Sequence, residues 1–220
     1  MLAFTANGDE GWTPLMNPAG VHNLKFTDAT VHNGKVVAVA GSGDIYSWDM
    51  EGAAAEPTLL PRVPEIHHVS HDLRRGFYLA ASSAGQLQVV CMHGHGDVKD
   101  SRSRRIVFKD QWSFFARHVS LHELDAATGA WRRVRDLGGD RALFVGGNYP
   151  FYATVPPGGS NDLQADCVYI ADLLVCDAAV FDLKLGDDYI YEFERRLSYP
   201  AMADSLQMPM WFQPTAYPIA

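Results

Sequence analysis

Cysteine, positive charge and long apolar runs are all scarce in this chain, and each scarcity removes a class of function. There are three cysteines, Cys91, Cys167 and Cys176, with no two at metal-ligand spacing. So sparse and odd a set does not make a disulfide scaffold, and it fits a reducing compartment. Lys and Arg number 18 against 26 Asp and Glu, for a formal net charge of −8. Nucleic acid and anionic membrane surfaces are therefore disfavoured partners, because phosphate binding gains from clustered cations. The one basic run, Lys99 to Arg105, is broken by Asp100 and reads as a solvated loop. Apolar runs are strand-sized, Val36 to Ala40 being typical, against about 18 residues for a spanning helix. The first residues, MLAFTANGDEGW, lack the basic and apolar regions of a secretory signal, and no Asn-x-Ser/Thr acceptor occurs. The expected compartment is the cytosol or nucleus.

Motifs for phosphate and acyl chemistry are missing as well. There is no Gly-x-x-x-x-Gly-Lys, no Gly-x-Gly-x-x-Gly and no Gly-x-Ser-x-Gly; Gly41-Ser42-Gly43 is too short for a nucleophile elbow and fits a hairpin turn. Asp187-Asp188 follows Gly186 and precedes an aromatic strand, which is turn chemistry rather than an acid/base pair. Cys91-x-His93-x-His95, with His67, His68 and His71 upstream, offers zinc-type ligands at a spacing that matches no usual finger. On a strand, Cys91 shares a face with Leu87 and Val89 and reads as a small core residue. No catalytic residue, cofactor or metal ligand is assigned.

What the chain does contain is a module that returns. Val31 to Asp49 reads as three β segments joined by two turns, the first being Asn33-Gly34, a strong type I′ hairpin signal. His71 to His93 repeats the layout, with Gly85 falling 42 residues after Gly43, a spacing typical of a propeller blade. Period-2 alternation sets Leu87, Val89 and Cys91 against Gln86 and Gln88, and Val119 and Leu121 against Ser120 and His122. A second turn at Asp125 to Gly129 precedes Trp131 and Val134. Further strands are expected at Ala142 to Val145, Val168 to Ile170, Ala179 to Leu183 and Tyr189 to Phe193.

No amphipathic helical pattern exceeds about two turns without a competing strand reading. The expected fold is all-β, a partial or small β-propeller of about four blade-like modules within one domain, 1–220. The modules lie at 24–50, 66–95, 114–147 and 166–195, with long loops at Gly94 to Asp110 and Pro150 to Asp166. Tyr46, Trp48, Trp131, Phe144, Phe151 and Trp211 are expected mostly in the core between sheets, the remainder gripping a partner. Closed propellers use about 4 to 8 blades, so an open arc with exposed edges is the other reading of this length.

The ordered motifs resemble one family. FTDATVHNGKVVAVAGSGDIYSWDM (Phe26 to Met50), HVSLHELDAATGAWRRVRDLGGDRALFVGGN (His118 to Asn148), DCVYIAD (Asp166 to Asp172), AVFDL (Ala179 to Leu183) and WFQP (Trp211 to Pro214) are similar to successive elements of the plant domain-of-unknown-function 295 proteins, the F-box-associated β-propellers. Asp166 stands where that family has Asn, and the chain resembles only the carboxy-terminal, propeller portion, without the F-box helices. The resemblance implies a non-enzymatic protein-interaction module, akin to the substrate-recognition propeller of ubiquitin-ligase adaptors, whose partner is a ubiquitination substrate or a signalling kinase. The alternatives are a hydrolase-like enzyme working from a propeller face, or a non-functional fragment.

Overall fold

A computed structural model describes residues 2–5, 10–20, 24–51, 56–64, 73–95, 115–147, 149–157, 163–171 and 178–184. The strand expected at Tyr189 to Phe193, Asp187-Asp188, the upstream histidines, Lys99 to Arg105, Cys176 and Trp211 lie outside them. Among the described residues the elements are all strands. They form one two-stranded and three four-stranded sheets. The chain divides into two compact units, the first made of Met1–Ser70, Arg75–Cys91 and Leu121–Arg133, the second of His71–Arg74, Met92–Ser120 and Val134–Ala220.

In the first unit, β1 (Ala3–Phe4) pairs with β2 (Thr13–Pro14). A four-stranded antiparallel sheet follows, in the order β3 (Phe26–His32), β4 (Lys35–Ala40), β5 (Ile45–Asp49), β6 (Thr58–Leu59). Asn33 and Gly34 take φ of 48° and 72°, as a two-residue type I′ hairpin requires. The next turn is closed by Ala40 N–H to Asp44 O and Gly43 N–H to Ala40 O, both 2.8 Å, with Gly43 at φ 87°.

The second four-stranded sheet has the order β10 (Trp131–Val134), β9 (Phe115–Leu124), β8 (Leu87–His95), β7 (Leu73–Ala81). Its first turn reproduces the bonds of the first sheet 42 residues later: Ser82 N–H to Gln86 O and Gly85 N–H to Ser82 O, again 2.8 Å each, with Gly85 at φ 74°. At Asp125 to Ala130 the same closure recurs one residue longer, with Gly129 at φ 67°. The repeat read from sequence is thus a repeat of hydrogen bonds. It persists because each turn needs one residue at positive φ, where glycine pays no Cβ penalty.

Strand alternation sorts the first sheet's side chains onto two faces. Val37, Val39 and Ile45 join Val63, Phe77, Leu79, Leu87, Val89, Cys91 and Trp131 in one buried cluster. Val36, Ala38, Ala40, Tyr46 and Trp48 face the other way, beneath Leu15, Leu2 and Phe4. Two indoles tie connecting segments to these cores: Trp48 Nε1 donates to Met16 O at 2.8 Å and Trp131 Nε1 to Pro61 O at 2.7 Å. Each tether lies beside a buried aliphatic plug, Leu15 or Val63.

In the second unit the sheet order is β12 (Phe151–Thr154), β11 (Arg141–Gly146), β13 (Cys167–Ala171), β14 (Ala178–Asp182). The β11–β13 pair is parallel and the other two are antiparallel. Phe151, Phe144 and Tyr169 stack across three of these strands, with centroids 5.0 and 4.6 Å apart. Tyr169 Oη accepts from Gln164 N–H at 2.8 Å, closing a small core of Ala142, Val155, Cys167 and Tyr169.

Two expectations change. The stretch Pro150 to Asp166, read as a loop, contains β12: Phe151 to Thr154 is a short edge strand whose signal is masked by the prolines on either side, and an edge tolerates proline. Strands expected in the modules 66–95 and 114–147 are shared between two sheets, β7 to β10 in one and β11 in the next. Alanine at Gly85 would meet nothing within 4 Å, so the cost of Gly85→Ala is backbone strain alone. It should lower stability by about 1–2 kcal/mol, while Gly11→Ala, also with nothing within 4 Å and no positive φ, stays within about 0.5 kcal/mol; urea unfolding measures both.

Candidate interaction surface

Several of the described ionisable groups are held in structural work. Asp166 has a left-handed backbone (φ 58°) that brings its buried carboxylate back onto the loop before β11. Oδ1 accepts from Leu137 N–H at 2.6 Å and Gly139 N–H at 3.1 Å, and Oδ2 meets Lys184 Nζ at 2.5 Å. Burial pushes this carboxyl up, but the Lys184 ammonium and the two amides outweigh it and hold Asp166 below the usual carboxylate range. Hydrogen bonding to Asp166 raises Lys184 in turn. Beside it, burial first, then the charges of Asp182 and Asp166, push the Cys167 thiol up to about 12, far from a thiolate nucleophile.

Asp28 behaves in the opposite sense. Its two oxygens accept from Ala29 N–H at 2.8 Å and from Leu79 N–H at 2.7 Å, joining β3, an edge of the first sheet, to β7, an edge of the second. Burial dominates these bonds, and its pKa rises. Glu123 is 6% exposed and is shared by Gln88 Nε2, at 2.8 Å, and Arg132. Among the described residues no group of three or more His, Cys, Asp and Glu is placed to hold a metal ion. Cys91, from the possible zinc motif, is fully buried in an apolar cluster, as the strand reading expected.

The feature left over is apolar and exposed. In the first unit Trp12 is 70% exposed, Leu59 55%, Val31 53% and Met16 52%. These four belong to one side of the first sheet or to its cover. A bulge between Phe26 and Asp28 shifts the register, so Val31 pairs with Val36, which pairs with Trp48. Leu59 pairs with Tyr46 at the other edge. Directly paired residues share a face, so Val31 and Leu59 are the two uncovered margins of the face whose middle, Val36, Ala38, Tyr46 and Trp48, is buried under Leu2, Phe4 and Leu15. Met16 sits where the Trp48 indole grips the cover. In the second unit Tyr149, next to the half-buried Phe151 stack, is 70% exposed.

The aromatic expectations divide accordingly. Tyr46, Trp48 and Trp131 are buried, while Phe144 and Phe151 stack half-buried. Sequence reasoning missed Trp12, Met16, Val31, Leu59 and Tyr149. The alternation of Ala29 and Val31 with Thr30 and His32 marks a half-buried strand, but it does not say which face is covered, and the bulge reverses the face that counting from Phe26 would give.

The Asp166 network makes a sharp prediction. Asp166→Ala removes three partners and should cost about 2–4 kcal/mol, whereas Asp166→Asn keeps the left-handed backbone and an amide acceptor and should cost about 1–2 kcal/mol. A depressed carboxylate pKa contributes stability that is full above the unfolded value, about 3.9, and is lost as pH falls through the lower folded value. The gap between wild type and Asp166→Asn should therefore be constant from about pH 5 to 9 and close on acidification below about pH 4, in denaturation curves run across that range.

Against known proteins, a family model described as the KIB1-4 β-propeller matches residues 1–193. Neither a curated protein nor a solved structure matches the chain. The match spans most of the 220 residues, and the chain belongs to the KIB1-4 β-propeller family.

Proposed function

We propose that this member of the KIB1-4 β-propeller family is a protein-interaction module that does no chemistry of its own. The observation that carries the reading is the set of exposed apolar side chains on and around one face of the first sheet, Trp12, Met16, Val31 and Leu59. Isolated exposed apolar residues are ordinary; four around the margins and cover of one sheet face are the positions from which a partner would be gripped. They are also of the right kind, since interface anchors favour aromatic residues and Met is adaptable. By contrast, Asp166, Cys167, Glu123 and Asp44 are committed to ion pairs, hydrogen bonds or burial, which leaves them poor candidates for acid, base or nucleophile.

The finer reading follows the resemblance to the F-box-associated propellers. On it, the module recognises a ubiquitination substrate or a signalling kinase in the cytosol or nucleus of a plant cell. Met16→Glu with Val31→Glu changes only exposed positions, so the fold should persist. In quantitative affinity purification from plant cells, specific partners should be recovered at least about tenfold less with the double variant than with wild type. Turnover of a generic esterase or phosphatase panel in proportion to protein concentration would instead favour the hydrolase reading.

A further inference from the structure

The charges around this surface specify what it binds. We infer that the partner presents an apolar anchor flanked by lysine or arginine; the inference rests on the interaction reading above and adds the partner's chemistry to it. Three of the four exposed apolar positions, Trp12, Val31 and Leu59, have an exposed carboxylate near them along the chain or at the same hairpin end. Glu10 lies two residues before Trp12, and Glu56 lies three before Leu59. Glu51 follows Met50, whose N–H donates to Gly34 O at 3.2 Å, so it belongs to the hairpin end that carries Val31, whereas Asp49, paired with Lys35, lies on the opposite face. Glu56 is also fixed in place, because its Oε1 accepts from Ala19 N–H at 3.0 Å, at the end of the covering segment.

Among the described residues the cations do not balance these groups: Lys25 is exposed but precedes β3 at the end away from the Asn33-Gly34 hairpin, where its carbonyl accepts from Gly41 N–H at 3.0 Å. Arg62 is bound to Asp44 at 2.8 Å. Lys35 stands opposite Asp49 in the strand register and offsets that one charge. His32, beside Val31, has a pKa lowered by burial and is neutral near pH 7. Among the described residues Glu10, Glu51 and Glu56 are left as exposed carboxylates beside the apolar anchors in the chain or at their hairpin end. An acidic or anionic partner would be repelled, and a basic one would be steered in and held by charge around a desolvated centre.

The test is a phage-displayed library of random 12-residue peptides, panned on the full chain at low salt. Enriched peptides should carry Leu, Phe, Trp or Met flanked by Lys or Arg. Their affinity should fall at least about tenfold on Met16→Glu with Val31→Glu. Glu51→Lys with Glu56→Lys should weaken them several-fold and flatten their salt dependence, since exposed charges are screened over about 10 Å at 0.1 M salt. Enrichment of acidic or uncharged peptides, or indifference to Glu51→Lys with Glu56→Lys, would overturn the inference while leaving the interaction reading intact. No enrichment, or binding unaffected by Met16→Glu with Val31→Glu, would overturn it by removing the surface itself. A wild-type dimer in sedimentation that this double variant dissociates would also overturn it, with a second copy as the occupant.

Discussion

An aromatic side chain that carries one polar atom cannot enter an apolar core unless that atom finds a partner, and in this chain the partner is the main chain of a connecting segment. The Trp48 and Trp131 indoles donate to Met16 and Pro61, and Tyr169 Oη accepts from Gln164. Leaving such a group unpaired in the interior costs about 1–3 kcal/mol. The need to satisfy it therefore fixes where each connection runs. Leu15 and Val63 become buried plugs because the segments that carry them are held by those tethers. The same constraint leaves margins: a cover pinned at Met16 crosses the middle of its sheet and does not reach Val31 or Leu59.

Charge is used with the same economy, and two aspartates show how environment decides its sign. Asp166 is buried with a lysine and two amides, so its ionised form is favoured. Asp28 is half-buried with amides alone, and desolvation wins. Acidification withdraws support from the first and relieves the second, because a raised carboxylate pKa costs stability only while the group is ionised. The two act in different units and serve different joints, one bracing the loop before a sheet and the other linking two sheet edges.

Much of the fold was legible because it is local. The Asn33-Gly34 hairpin, the Gly43 and Gly85 turns and the Leu87, Val89, Cys91 alternation follow from φ > 0 and period 2, properties that adjacent residues determine. Strand β12 was hidden by flanking prolines. Pairing was less legible than strand existence: nothing within β11 or β13 announces that they lie side by side and parallel, since that depends on where the chain returns. The candidate surface was least legible. Exposure of Val31 depends on a bulge between Phe26 and Asp28 and on a cover anchored 32 residues away from Trp48, neither of which is set by Val31's adjacent residues.

The tethers are the central claim, and the exchange of tryptophan indole protons reads them directly. In two-dimensional NMR of the folded chain, with signals assigned through Trp→Phe variants, the Nε1–H of Trp48 and Trp131 should exchange with solvent at least about a hundredfold more slowly than that of Trp12, whose side chain is exposed. Equal, fast exchange for all three would contradict the account, because it would mean that the indoles close no core and the connections they hold are free.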